Sequence, residues 1–343
     1  MTDVIEVSYT GDILAHRRCR RAWCYSKQAG FVPYEQIQAM EGRLLHHAME
    51  WMTSQFNGAL QRRRHVTTDE LATQLNRYFR ILRSRGVRTA FTTKQETIER
   101  VTRNLMDCGQ PNTTVAALIE GALHNEYELK AVRKVLPQEF EGKQRLLLTG
   151  VIDLVVQQRG GLEYRTKWVF DDLDRLSGHA ESASELSREG DEEIWDYKGS
   201  RAGSDYTDDY VRQLLTYAAL YRDRVGHLPD RCMLYFVNEP DEARRLLLVE
   251  VDDDIVQAAL EWTHEQVRRL RSTAVGFERD PLAIPGGAIT REDSPPANRI
   301  TPELRQQCTA CGYRYDCDAY TAFVAERGSE AQRDVDLLDV RKN

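Results

Sequence analysis

No stretch of this chain is apolar for the roughly 18–20 residues that a membrane-spanning helix needs. Its opening residues, MTDVIEVSYTGDILAHRRC, are acidic and polar before they turn apolar, which is not the pattern of a secretory leader. The expectation is a cytoplasmic protein with no membrane partner. Excess positive charge is missing too: the formal net charge is −7, which argues against a sequence-independent nucleic-acid coat. Seven cysteines, an odd number, with no leader pattern to imply an oxidising compartment make a poor disulfide framework. No G-x-x-x-x-G-K-S/T segment occurs, so ATP hydrolysis by that route is absent and any helicase action falls to a partner. There is no internal repeat.

What is present is ordinary for a globular chain. Hydrophobic residues make up 41% and charged residues 29% of 343, enough to bury one large core or two moderate ones. Basic residues cluster locally: Arg17, Arg18, Arg20 and Arg21 surround Cys19, Arg62 to Arg64 form a run, and Arg268, Arg269 and Arg271 close a helix. Each taken alone reads as a solvated helix face, although such clusters can also meet phosphates.

The periodicity changes along the chain. Residues 12–56 read as helical, with Leu44, Leu45, Ala48, Met49 and Trp51 at helical spacing, and 67–123 as an all-helical insertion striped by Leu71, Leu75, Tyr78, Phe79 and Leu82. Strands follow at 146–156 (LLLTGVIDLVV), 193–198 (EIWDYK), 232–237 (CMLYFV) and 246–251 (LLLVEV), with helices at 210–221 and 255–270. That alternation predicts an α/β catalytic core over 124–255 with a mixed central sheet flanked by helices. Residues 256–343 then supply a helix, a connector and a cysteine cluster, so the whole chain reads as a single domain. The Ser-rich, charged stretch 171–191 reads as a mobile loop, and 277–302, rich in proline and glycine, as an extended surface connector.

Two acids stand inside apolar strands. Asp153 lies in GVIDLVV, and Asp196 lies in IWDYKGS with Lys198 two positions on, which puts Asp196 and Lys198 on one face of a strand and Tyr197 on the other. A buried carboxylate must be paired, hydrogen-bonded or bound to a cation. Two acids and a lysine at strand ends suit Mg²⁺ or Mn²⁺, which would polarise a phosphodiester and lower the pKa of an attacking water. Alone, D-x-K is a weak signal that reads more readily as an edge-strand ion pair. Its company is His46, preceded by Gly42 on the first long helix, and Gln213 with Tyr217, i,i+4 neighbours on the helix after the D-x-K strand.

The ordered set His46, Asp153, Asp196-x-Lys198 and Gln213-x-x-x-Tyr217 resembles the RecB-like branch of the PD-(D/E)XK nucleases. The resemblance excludes the helical insertion and the long stretch between the two acids. It implies a restriction-endonuclease-like fold, catalysis by His46, Asp153, Asp196 and Lys198, and a Mg²⁺ or Mn²⁺ ion held by His46, Asp153, Asp196 and Tyr197. Gln213 and Tyr217 would handle DNA, and Glu126 or Glu128, one strand earlier, would join the metal site. The implied activity is a metal-dependent deoxyribonuclease, an exonuclease on single strands or duplex ends, in repair, recombination or defence, with a helicase or another such protein as partner.

The cysteines point the same way. Cys308-x-x-Cys311 followed by Cys317 places three thiolates together, and a Cys₄ site needs a fourth. Cys19 is the candidate and Cys24 its competitor. One distant cysteine plus three near the other end resembles the iron–sulfur nucleases of this branch, among them AddB, the exonuclease V-like enzymes and the nuclease associated with CRISPR adaptation, although Arg20 stands where the common pattern has proline. That resemblance implies a 4Fe-4S cluster on Cys19, Cys308, Cys311 and Cys317, stapling the N- and C-terminal regions. Zinc is the alternative, but the one-plus-three layout differs from paired zinc knuckles. By analogy with disulfide loop closure, such a staple is worth on the order of 5 kcal/mol. Cys108 and Cys232 read as core residues. The rival function is a catalytically silent nucleic-acid-binding scaffold, which would have no need to keep His46, Asp153, Asp196 and Lys198 together.

Overall fold

The apolar runs of the middle third become strands of one sheet, and the periodic stretches on either side become helices. The computed structural model describes residues 4–33, 36–37, 39–57, 64–89, 92–134, 145–203, 206–281, 284, 308 and 311–327. The chain opens with β1 (Val4–Ser8), a π-helical turn (Tyr9–Leu14), α1 (Ala15–Arg18), α2 (Arg20–Lys27), β2 (Gln36–Ile37) and α3 (Ala39–Asn57). Next come α4 (Thr68–Ser84), β3 (Val87–Arg88), α5 (Lys94–Leu105), β4 (Met106–Asp107), β5 (Gln110–Pro111) and α6 (Thr113–Gly121). The middle comprises β6 (Ala122–Lys134), β7 (Arg145–Arg159), β8 (Glu163–Asp172), β9 (Ser177–Leu186), β10 (Glu189–Lys198) and α7 (Thr207–Val225). The last described elements are β11 (Arg231–Phe236), α8 (Glu242–Arg245), β12 (Leu246–Val249), α9 (Asp253–Arg279), a 3₁₀ turn (Arg314–Asp316) and α10 (Asp318–Arg327).

Two compact units result. The first comprises Met1–Ile13, Leu45–Leu71 and Arg103–Val267; the second comprises Leu14–Leu44, Ala72–Thr102 and Arg268–Asn343. Residues 67–123 are therefore divided between them.

The first unit is mixed α/β. Its eight strands run in the order β1-β7-β10-β11-β12-β8-β9, with β6 also paired to β7. β7 organises the sheet. One edge is taken along its length by antiparallel β6, and the other is shared: β1 pairs in parallel with Arg145 to Thr149, and β10 pairs antiparallel from Leu154 onward. Gly150 to Asp153 thus lie where two neighbouring strands part. The parallel pair β10–β11 is joined by the crossover helix α7, which ends at Gly226 in the left-handed conformation (φ 102°). Strands β11 and β12 read as unbroken apolar runs because they are buried on both faces, with Leu234 and Val249 fully buried.

The stretch 171–191 is not a loop: it holds the end of β8, all of β9 and the start of β10, and β8 and β9 pair antiparallel. Its sequence hid this because β9, SGHAESASEL, is the outer strand of the sheet order and needs no apolar alternation. The hairpin is tied down at both ends. Near its base, fully buried Glu193 accepts hydrogen bonds from Gln158 (2.6 Å), Tyr164 (2.6 Å) and Trp195 (2.9 Å), joining β7, β8 and β10. Three donors offset the cost of burying that carboxylate, and burial still pushes its pKa up. At the tip, Arg212 of α7 donates twice to the Arg175 carbonyl (3.0 and 2.7 Å), beside fully buried Leu176 at φ 51°.

Other boundaries shift modestly. The helix expected at 255–270 extends to Arg279, into the start of the expected connector, and residues 285–302 of that connector lie outside the described residues. Cys108 is a correction. It is exposed, because Cys108 and Gly109, at φ 45° and 87°, form the two-residue turn between β4 and β5. Cys232, by contrast, is fully buried as expected.

The second unit holds α1, α2, the β2–β3 pair and α10, with parts of α3, α4, α5 and α9. Buried His16 sets its Nε2 2.9 Å from the Thr273 hydroxyl and packs edge-on to Trp23. Arg21, also buried, donates to the Ile284 carbonyl at 2.7 Å and pairs with Asp318.

Candidate metal centre and thiol cavity

Asp153 sits at the fork of β7, just past its last pairing with β10. Its Oδ2 accepts the backbone N–H of Tyr197 at 2.7 Å, so the carboxylate closes the end of the β7–β10 ladder. Its Oδ1 lies 3.3 Å from Nδ1 of His46 on α3, and Glu126 Oε1 lies 3.8 Å from the same nitrogen. His46, Glu126 and Asp153 each offer a donor atom within 4.8 Å of the others, a grouping that could hold a metal ion. Glu126, on β6 opposite Asp153, has a left-handed backbone (φ 49°), a strained conformation for a non-glycine residue. Of the two acids weighed on β6, it is Glu126 that belongs to this group.

Asp196 and Lys198 project from β10, buried and half-buried respectively. The Lys198 ammonium lies 2.5 Å from Asp196 Oδ2. That oxygen accepts no well-directed hydrogen bond, so the contact is an ion pair with coordination capacity left over. Lys198 also donates to Gln213 Oε1 at 3.0 Å and stands over the Tyr210 ring at 4.4 Å. The Gln213 amide then donates to the Tyr217 hydroxyl (3.0 Å) and the Thr10 hydroxyl (3.3 Å). Gln213 and Tyr217 are both buried and bonded within the first unit. Tyr197 turns the other way, as strand alternation requires: its side chain is buried, its hydroxyl finds no partner, and its ring stands 6.1 Å from that of His46.

The electrostatics are those of an acidic hollow. Attraction to Asp153 raises the pKa of His46 to about 10 against the opposing effect of burial. Burial alone would push the Asp153 carboxyl up, but His46 and Lys198 hold it below the usual range. Burial and repulsion from Asp153 push Asp196 up in spite of Lys198. A proton on His46 therefore stands where a cation would, and ligation by its imidazole would release that proton. One imidazole and several carboxylate oxygens suit a hard or borderline divalent ion.

Two small residues make this geometry reachable, and sequence reasoning gave neither a role. A Cβ at Gly150 would lie 2.5 Å from the Tyr217 ring, so glycine is what lets that ring reach β7. Thr10, in the π-helical turn after β1, accepts from Gln213 and lies 3.3 Å from the Tyr217 hydroxyl.

Within the second unit, Cys19, Cys308, Cys311 and Cys317 line one cavity, which Cys24 does not line. Cys19 caps α2, its sulfur accepting from the Ala22 N–H at 3.4 Å, and Arg21 lies 3.9 Å from the Cys317 sulfur. Burial, followed by the charges of neighbouring cysteines, pushes the Cys308 thiol up to about 12. Cys311 is likewise raised to about 12, chiefly by burial. Such thiols become thiolates only with a cation beside them. Among the described residues no three cysteine sulfurs lie within 4.8 Å of one another.

The first unit thus defines a class of site: a histidine–carboxylate grouping that could hold a metal ion, beside a buried Asp–Lys pair, at the fork of a mixed sheet. A comparison with family models finds none that matches the chain, and one with curated proteins finds no match either.

Proposed function

We propose that the chain is a Mg²⁺- or Mn²⁺-dependent deoxyribonuclease of the PD-(D/E)XK type, in its RecB-like branch, acting on DNA ends or single strands. The observation that carries this reading is the convergence of His46, Asp153 and the Asp196–Lys198 pair at the fork between β1 and β10. His46, Glu126, Asp153 and Asp196 would hold the metal, whose chemistry is to polarise the phosphodiester and acidify a water. Lys198 would orient that water or meet charge developing on the phosphate. Gln213, itself bonded to Tyr217 and Thr10, keeps the ammonium in place.

A buried Asp–Lys pair costs desolvation that a silent scaffold has no reason to retain, which favours the enzymatic reading. The restriction-endonuclease-like fold belongs to the same proposal, as do DNA and a helicase or other repair or defence protein as partners. The test is metal-dependent digestion of end-labelled DNA by the parent and by Lys198→Ala. The mutant should be folded and inactive, and full activity in it would remove the assignment.

The four thiols fit a 4Fe-4S cluster. What favours the cluster over a single zinc is the layout of one distant cysteine and three near the other end, which differs from paired zinc knuckles. Anaerobically purified protein should be brown and contain about four irons per chain; stoichiometric zinc in a colourless protein would overturn this part of the reading.

A further inference from the structure

We propose that Arg21 and Arg314 are the counter-charges of the four-thiol cavity, holding the residual negative charge of its metal centre and raising its reduction potential. This rests on the reading of Cys19, Cys308, Cys311 and Cys317 as ligands of a cationic core. Four thiolates around a core carrying two positive charges, whether a zinc ion or an oxidised cubane, leave about two negative charges uncompensated. Burying that charge is costly unless it is paired.

Among the described residues the remaining walls are Ala22, Tyr25, Tyr313, Ala319, Tyr320 and the two arginines, so the charged side chains found there besides the cysteines are cations. Both arginines are almost wholly buried, at 2% and 3% exposure. Arg21 does have Asp318, but that carboxylate is 60% exposed and stays solvated. On the cavity side Arg21 also reaches the Cys317 sulfur, at 3.9 Å. Arg314 donates to the Cys311 carbonyl at 3.3 Å, so it is carried by the ligand loop itself. Each arginine also follows a proposed ligand closely in sequence, Arg21 after Cys19 and Arg314 after Cys311.

The consequence is specific. Reducing a cubane adds one electron from an external donor such as dithionite, and nearby positive charge lowers the cost of that added negative charge. Replacing either arginine by methionine keeps most of the apolar stem and removes the charge, whereas lysine keeps the charge and loses the planar fork.

The experiment is a dithionite titration of the full-length, anaerobically purified protein, followed by electron paramagnetic resonance, with iron release to a chelator timed in parallel. Arg21→Met and Arg314→Met should each shift the midpoint to more negative potential and release iron several-fold faster. The lysine variants should recover most of both properties. If Arg21→Met does not fold, Arg314→Met gives the same reading. Parent-like potential and release in the methionine variants would overturn the proposal, as would lysine variants as impaired as the methionine ones, which would indicate lost packing. If the parent carries zinc and no iron, the cluster reading fails separately, and the counter-charge role is then judged by zinc retention: faster loss from the methionine variants supports it and equal loss contradicts it.

Discussion

The ammonium of Lys198 is held at 3.0 Å by the side-chain carbonyl of Gln213, whose amide is in turn fixed by the hydroxyls of Tyr217 and Thr10. Gln213 therefore orients the lysine from inside the first unit. Gln213→Ala should lower kcat on the order of 100-fold, as displaced catalytic groups do, with little change in KM for DNA. A rise in KM at unchanged kcat, measured by steady-state digestion of a labelled oligonucleotide, would mean that Gln213 serves DNA binding instead.

Gly150 tests the same relay from the sheet side. A methyl group there meets the Tyr217 ring at 2.5 Å, and that ring is itself buried and cannot swing away. Gly150→Ala should cost about 1–3 kcal/mol, as overpacking does, and should lower activity by moving Tyr217 and with it Gln213. Denaturant melts read the first effect and single-turnover digestion the second.

The thiol cavity separates two neighbouring cysteines. Cys19 lines it, whereas Cys24 is fully buried elsewhere, with burial pushing its thiol up to about 12. Cys19→Ser should lose iron and melt at lower temperature, and Cys24→Ser should keep its iron. Iron analysis of the two variants decides the fourth ligand, and the opposite pattern would reassign it.

Acid should weaken the second unit through His16. Burial, reinforced by Arg20, Arg17 and Arg269, lowers its pKa to about 3 from the usual 6.5. Above pH 6.5 both folded and unfolded chains carry His16 neutral and the residue has no pH effect. As pH falls from there towards 3 the unfolded chain takes up the proton first, so stability is progressively lost. His16→Gln, which can still bond Thr273, should flatten that part of the pH–stability curve. A variant with the parent's acid slope would show that other groups set it.

Legibility in the sequence followed burial. Asp153 and Asp196 were visible because a charge inside an apolar strand is conspicuous, and the central strands because runs such as CMLYF and LLLV are buried on both faces. β9 was hidden for the converse reason: an outer strand of small and polar residues carries no alternation. Cys108 looked like core because Leu105 and Met106 precede it, yet a two-residue turn carries it outward. Glu126 stood level with Glu128, and only the local backbone turns one of them towards His46. Thr10 had no signal at all, since its partners lie some two hundred residues away in sequence.

The central claim is that one metal site with the Asp196–Lys198 pair cleaves DNA. Its most direct test is digestion of end-labelled single- and double-stranded DNA with Mg²⁺ or Mn²⁺, comparing the parent with Asp196→Ala. The account predicts metal-dependent cleavage by the parent that chelation stops, and none by an Asp196→Ala protein with the parent's fold. Cleavage by the variant at the parent's rate, or a parent that leaves DNA intact with either ion, would contradict it.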